Sequence, residues 1–388
     1  MATTRFGVIA ALVLSVCVPG PLSAAAAKPK GAEVGFWAAQ NLQPCAESVD
    51  PANCPRDTGA FTDEVWNVLA KRHGLLYLNL VFGSDFGPNA TRSDGLALLK
   101  RANALGIAVN AWITVPLSQG TFANENNAAI MAESVRTFAA WAKRNRVRVG
   151  ELVLDLEFPT GYQPAAEAVA GDPSGLTRSN IDPVHQCAAI ATYRKTIKWA
   201  HDRGLRISGS PVPFALDDLL DGSLALQDAL DITAFPPLGY DRLYLQAYRT
   251  YNNQGSGYVA SYYREMQRFF GRAGQVTVGD TAMSTPPYTN LEALVADVRM
   301  LAGLGATTIP VFDLAGTVRS FGADGVATVI DAGRRPLTGA ELRRASAEDD
   351  YTRIQRTFFQ SLDAAATALT PVVSGRPPNA YPRGCATP

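Results

Sequence analysis

Short apolar runs of strand length alternate with stretches of helical periodicity along most of this chain, and a glycine returns at the same point of the cycle. The runs are Glu33–Ala38, Leu75–Phe82, Ile107–Val115, Glu151–Glu157, Arg206–Ser210, Leu243–Tyr248, Gln275–Gly279 and Thr308–Asp313. Between them, Met131, Val135, Phe138 and Trp141 share one helical face, as do Val259, Tyr262, Met266 and Phe269, and again Leu291, Leu294, Val298 and Leu301. Lys71-Arg72-His73-Gly74, Asn103-Ala104-Leu105-Gly106, Asp202-Arg203-Gly204 and Ala302-Gly303-Leu304-Gly305 each set a glycine just past a helix and just before a run, where a left-handed cap costs least. Strand, helix, cap, strand is the rhythm of a parallel sheet with helices outside. Eight such runs, four of them preceded by that glycine, predict the α/β class and a single closed (β/α)8 barrel.

The 388 residues suit one such TIM barrel with an appendage. The barrel is expected over residues 26–335. Asp231–Phe235 is a possible extra strand, taken here as a connection into Leu243–Tyr248. After Asp331 one more amphipathic helix is expected, with Tyr351, Ile354, Phe358, Leu362 and Leu369 on its packed side, followed by a proline-rich tail. Residues 336–388 thus form a C-terminal extension laid on the barrel.

Residues 1–25 read as an export signal: Arg5, an apolar run over Val8–Val18, and small residues at Ser23-Ala24-Ala25. The run is short for a membrane span, so no integral membrane segment is expected once the signal is removed. A lipoprotein would use Cys17, but Val16 before it is bulky for such a site. Export leaves Cys45, Cys54, Cys187 and Cys385, an even number that predicts two disulfides, Cys45–Cys54 clipping a loop and Cys187–Cys385 tying down the tail. The spacing of the cysteines does not suit zinc, and His73, His185 and His201 lie away from strand ends; no metal or cofactor is expected. Lys and Arg number 35 against 35 Asp and Glu, and this balance argues against nucleic acid as the main partner. Nothing in the sequence indicates the oligomeric state.

In a barrel of this kind the chemistry sits where the strands end. Alternation along the fourth run puts Leu152, Leu154 and Leu156 on one face and Val153, Asp155 and Glu157 on the other, toward the lumen. Two carboxyl groups one pleat apart favour one proton between them, which tunes one as an acid near neutral pH. An ion pair across the lumen is the bland alternative. The same parity points Tyr77, Asn79, Asn110, Trp112, Tyr244, Gln246 and Tyr248 inward, while Asp313 ends the eighth run and Asp280 follows the seventh, sharing by strict alternation a face with Val276 and Val278. Rings and amides around paired acids suit a sugar, with Trp37 and Trp112 as platforms and Asn79, Asn110 and Gln246 as hydroxyl partners; taken singly, each also suits core filling. The stretch from Phe158 to about Pro183, with Tyr162, has little periodicity and reads as a lid or subsite wall, or else a loose insertion.

Glu151-Leu-Val-Leu-Asp155-Leu-Glu157 resembles the fourth-strand motif of chitinase-like glycoside hydrolases of family 18 and, more loosely, of other barrel glycosidases with an Asp-x-Glu pair. The resemblance implies Glu157 as the acid, Asp155 as the group orienting a substrate acetamido oxygen, and Tyr248 in Leu245-Gln246-Ala247-Tyr248 as a partner of that group. The chain departs from the pattern at Val153, where an earlier Asp is usual, and at Arg249, where Asp usually follows the tyrosine. A Ser-x-Gly-Gly on the third strand and a Trp ending the eighth are missing. A second scheme pairs Glu157 with Asp280 or Asp313 as nucleophile or base, the carboxylate separation then deciding retention or inversion.

The leading expectation is a secreted glycoside hydrolase acting on a polysaccharide or glycan through Glu157. The rivals are a non-catalytic carbohydrate-binding barrel, favoured by Val153 and Arg249, and a metal-dependent phosphodiesterase with acids at strand ends, disfavoured because no histidine stands there.

Overall fold

The computed structural model describes residues 31–38, 58–82, 90–232, 238–252, 254–281, 287–288, 290–381 and 385. Eight parallel strands close into a barrel in chain order: β1 (Glu33–Ala38), β2 (Leu75–Val81), β3 (Ala108–Thr114), β4 (Glu151–Leu156), β5 (Arg206–Pro211), β6 (Leu243–Tyr248), β7 (Gly274–Gly279) and β8 (Thr308–Phe312). Pairing of Val34 with Ile309 and Phe36 with Val311 seals β1 to β8. The eight expected runs are the eight strands, with ends moved by a residue or so. Asp231–Phe235 does not add a strand among the described residues: Ile232 makes one isolated antiparallel bridge to Asn124.

The outer helices are α1 (Asp63–Lys71), α2 (Ala90–Ala104), α3 (Ala128–Asn145), the short α4 (Gln163–Val169) and α5 (Ser174–Thr177), then α6 (Pro183–His201), the short α7 (Pro213–Asp217) and α8 (Ala225–Ala229), α9 (Ser256–Phe270), α10 (Leu291–Leu304) and α11 (Leu314–Ala332). Their expected faces are buried: Met131, Val135, Phe138 and Trp141 in α3, and Leu294, Val298 and Leu301 in α10. Gly106, Gly204 and Gly305 take the left-handed conformation expected of a cap. At the fourth such site His73 takes it instead, with φ 52°. Gly74 is there for space, since a Cβ on it would lie 2.8 Å from Leu69 Cδ2.

The barrel has two apolar layers. Leu152, Leu154 and Leu156 belong to the large core between strands and helices. Trp37, Leu75, Tyr77, Trp112, Val153, Tyr244 and Phe312 form a separate cluster inside the lumen. The barrel is a packed core rather than a pore.

The C-terminal extension comprises α12 (Gly339–Ala345) and α13 (Asp350–Ser374), and α13 packs on α7 and α8. Its buried face is the expected one only in part: Leu362 is buried and Phe358 and Leu369 pack against the core, as expected. Thr352, Phe359, Leu362, Asp363, Ala366 and Thr370 face inward, whereas Tyr351 and Ile354 are 70% and 66% exposed. Polar groups decide this: Arg356 Nη2 lies 3.1 Å from the buried Asp217 carboxylate, and Arg356 Nη1 donates to Ser261 Oγ at 2.9 Å. Cys187 and Cys385 are bonded, with Cα atoms 5.3 Å apart, and join α6 to the tail. Cys45, Cys54 and the export segment lie outside the described residues.

Candidate active site

Leucines on the outer face of β4 anchor it against helices, and that fixes which way its other residues point. Glu151, Val153, Asp155 and, just past the strand, Glu157 form the inner stripe. Glu151, at the N-terminal end, is the acid that the sequence reading passed over. Its carboxylate accepts from Ser208 Oγ at 2.7 Å and Tyr244 OH at 3.0 Å, and faces Arg242 at 3.2 Å and Arg206 at 3.4 Å. Paired in this way, it braces the closed end of the barrel.

Two pleats higher the surroundings change. Asp155 is 5% exposed, and Glu157 beyond it is partly open. No cation is paired with either among the described residues. Gln246 of β6 reaches across instead. Its Nε2 donates to Asp155 Oδ1 at 2.7 Å, to Glu157 Oε1 at 2.8 Å and to the Ser210 carbonyl at 3.2 Å. Burial pushes the Asp155 carboxyl well above the usual range and the Glu157 charge raises it further, while Ser210 and Gln246 pull the other way. The Trp112 indole N–H also favours the Asp155 charge, although it does not reach hydrogen-bond geometry. Burial pushes Glu157 up to about 7, against the opposing Gln246 hydrogen bond. One proton held between two carboxyl groups near neutral pH is the resulting state.

Tyr248 closes the site on the β6 side, stacked on Phe312 with ring centroids 5.1 Å apart. Burial, then the charges of Asp155 and Glu157, hold its hydroxyl well above its ordinary range, so it stays a protonated donor. Tyr251, in the 3-10 turn Arg249–Asn252, was missed in the sequence. It is 52% exposed, its ring 5.9 Å from that of Tyr248 and tilted by 31°. Burial, then the charges of Asp280 and Glu157, raise its hydroxyl to about 12. Its only sequence signal is an aromatic three residues beyond the inward Tyr248.

The remaining candidates are dispersed. Asp280 is fully buried; its N–H donates to Thr250 Oγ1 at 2.7 Å, and its carbonyl accepts from the Tyr288 N–H at 3.0 Å. Asp313 caps α11, its Oδ1 accepting the Gly316 N–H at 2.7 Å. Arg249 is drawn into the wall, 2.5 Å from Asp297 and over the Tyr288 ring. Trp37 and Trp112 point inward as expected but lie below the mouth, 1% and 4% exposed, packed edge to face at 5.0 Å. Asn79 donates to Thr114 Oγ1 at 3.1 Å. Asn110 sits lower, where a Cβ on Gly150 would lie 2.7 Å from its Oδ1. The stretch after Glu157 is not a loose insertion: α4 and α5 occupy it, and the Tyr162 hydroxyl accepts the Asn180 N–H at 2.9 Å.

Beneath that segment lies a second acidic group, also missed. Glu125 lies between β3 and α3, Asp182 caps α6, Asp228 is the penultimate residue of α8 and Asp231 follows that helix. Asp182 N–H donates to Asp228 Oδ1 at 3.1 Å, and Asn126 Nδ2 donates to Asp231 Oδ2 at 3.1 Å. Glu125 Oε1, Asp228 Oδ2 and Asp231 Oδ1 are buried without a partner. Burial raises Glu125 well above its usual range, and Asp228 and Asp231 to about 7 and about 6. Among the described residues no group of His, Cys, Asp and Glu is arranged to hold a metal ion, and no helix is long and apolar enough to cross a membrane.

No protein-family model matches the chain, and no curated protein matches its sequence. Among solved structures it is similar to the glycoside hydrolase domain of PgaB (BpsB) from Bordetella bronchiseptica, at 12% identity and TM-score 0.43 over 80% of this chain and 100% of that one. It is similar too to a Group IV chitinase from Ostrinia furnacalis, at 9% identity and TM-score 0.45 over 78% and 97%. A third is the HMG-CoA lyase from Brucella melitensis, at 13% identity and TM-score 0.41 over 86% and 99%. Likeness of this order carries no argument about chemistry, and one barrel architecture hosts both glycosidases and a lyase.

Proposed function

We propose that the protein is an exported glycoside hydrolase in which Glu157 is the general acid and Asp155 its partner. One observation carries this: two carboxyl groups, unpaired with any cation among the described residues, share the donor Gln246 at the C-terminal end of β4, and the more open of them has its pKa near 7. An acid so poised holds its proton at neutral pH and gives it up readily.

In the proposed step the Glu157 proton passes to the glycosidic oxygen as the C1–O bond breaks, and the bonding pair leaves with that oxygen. The positive charge that develops at C1 is met by a substrate acetamido oxygen held by Asp155 and Tyr248, and a water then opens that intermediate at C1 while giving a proton back to Glu157; in the other scheme a water attacks C1 from the opposite face and gives its proton to a second carboxylate. Asp280 is the alternative second carboxylate, because its charge and that of Glu157 both act on the Tyr251 hydroxyl. Tyr251 is the proposed sugar platform, being both aromatic and exposed at the site. The Cys187–Cys385 bond fits an oxidising compartment.

The test is Glu157→Gln against a panel of polysaccharides and glycans, with reducing ends and binding measured separately. Hydrolysis by the parent, abolished in the variant while binding persists, is expected. Hydrolysis by the variant at the parent's rate refutes the assignment. Binding by both proteins with hydrolysis by neither identifies a carbohydrate-binding barrel instead.

A further inference from the structure

Gln246 was expected to bind substrate, but the structure commits its amide elsewhere. All three oxygens around Nε2 are acceptors, and one of them, the Ser210 carbonyl, can be nothing else. The amide is therefore oriented unambiguously. An NH2 group has two hydrogens. The shorter contacts, 2.7 Å to Asp155 Oδ1 and 2.8 Å to Glu157 Oε1, take one each, and the Ser210 carbonyl at 3.2 Å shares. An oxygen that accepts an N–H in this way is a poor place for a proton. Any proton on the pair is left to Asp155 Oδ2 or Glu157 Oε2.

We infer that Gln246 is the positioning residue of the acid pair: it holds the two carboxyl groups side by side and reserves Glu157 Oε2 as the oxygen that carries and transfers the proton. The inference rests on the assignment of Glu157 as the acid, and it concerns how the acid is held rather than what it cleaves. Gln246 touches neither the leaving group nor C1 in this scheme; it acts through Glu157. The geometry requires a side chain of this length with two donors on one nitrogen. Methionine fills the same space with none, and glutamate would bring a third carboxylate to the pair.

The experiment is a carboxyl-carbon NMR titration of full-length protein labelled at Asp and Glu, with signals assigned from Asp155→Asn and Glu157→Gln, in the parent and in Gln246→Met. A hydrogen bond to a charged group is worth about 1.5 to 3 kcal/mol, so its loss moves the Glu157 midpoint up by about one to two on the pH scale. The alkaline limb of the hydrolysis profile moves with it. An unchanged midpoint in a folded Gln246→Met protein overturns the inference. Should that variant fail to fold, the parent provides the second measurement: the Gln246 side-chain amide proton signals must shift with the same midpoint as Glu157, and an amide blind to that titration overturns the inference equally. A parent that hydrolyses no glycan but shows the coupled titration contradicts the proposed function alone.

Discussion

Asp228→Asn probes the second acidic group, which ties together the segments following β3, β4 and β5. Asp228 is 1% exposed; its Oδ1 accepts the Asp182 N–H and its Oδ2 has no partner. Asparagine keeps the accepting oxygen and replaces the partnerless Oδ2 by an uncharged NH2 group of similar size. The folded carboxyl has a pKa of about 7 against 3.8 for the free group, chiefly through burial, with the charges of Asp182 and Asp231 adding. The sign follows from linkage. Below 3.8 both states hold the proton, and the group costs folding nothing. As pH rises the unfolded chain releases its proton first, so stability falls until the folded carboxyl also ionises near 7. At about 1.4 kcal/mol per pH unit, the interval from pH 5 to that midpoint removes about 2 to 3 kcal/mol from the parent and nothing from the variant. Removing this charge also relieves Glu125, on which Asp228 is the largest charged influence, and that change has the same sign. Denaturant unfolding of both proteins at pH 5 and pH 8 measures the difference. Asp228→Asn is expected to gain about 2 kcal/mol on the parent between the two pH values, accompanied by slower amide exchange over residues 158–182 at the higher pH. A stability difference that stays constant across that range would refute the burial argument.

The other tests are simpler. Arg356→Met leaves the buried Asp217 without its cation. Asp217 has a pKa of about 6 even when paired, so the loss should be about 3 kcal/mol at pH 8 and clearly smaller at pH 5; equal losses at both pH values would contradict the pairing. Cys187→Ser opens a bridge that spans 198 residues of sequence and should cost about 2 to 5 kcal/mol in denaturant unfolding, matched by reduction of the parent; a parent indifferent to reductant would show that the bond does not form. Glu157→Gln and Gln246→Met complete the set, the first reading turnover against binding and the second reading a titration midpoint.

Comparison of these residues shows what a one-dimensional pattern can carry. Parity along a strand is local: three leucines on one side of β4 determine that Asp155 and Glu157 look inward, and the glycines after four of the helices mark where β2, β3, β5 and β8 begin. Eight strands and the paired acids were legible for that reason. Height in the barrel is not local. Glu151, Asn110, Trp37 and Trp112 have the same inward parity as Asp155, yet their level depends on the stagger between strands, and only the paired register sets Trp112 beside Val153 and Tyr77 beside Asn110. That is why the tryptophans were expected at the mouth and are packed beneath it.

Contacts made across the lumen, or between loops distant in sequence, leave even less trace. Gln246 meets Asp155 from 91 residues away, and Asn126 meets Asp231 across 105, with no periodicity linking either pair. On α13 an apolar count chose Tyr351 and Ile354, because a count of hydrophobic side chains cannot register that Arg356 and Asp363 have buried carboxyl partners in Asp217 and Asp218. In each instance the polar residue decides the geometry and the apolar ones accommodate it. Glu151 and Asp155 make the same point within one strand. They are four residues apart on a single face, but two arginines neutralise the first and a neutral amide serves the second. Burial with no cation beside it leaves a carboxyl the proton that an arginine would have displaced, so the difference between a brace and the proposed acid pair lies in the partner each group meets.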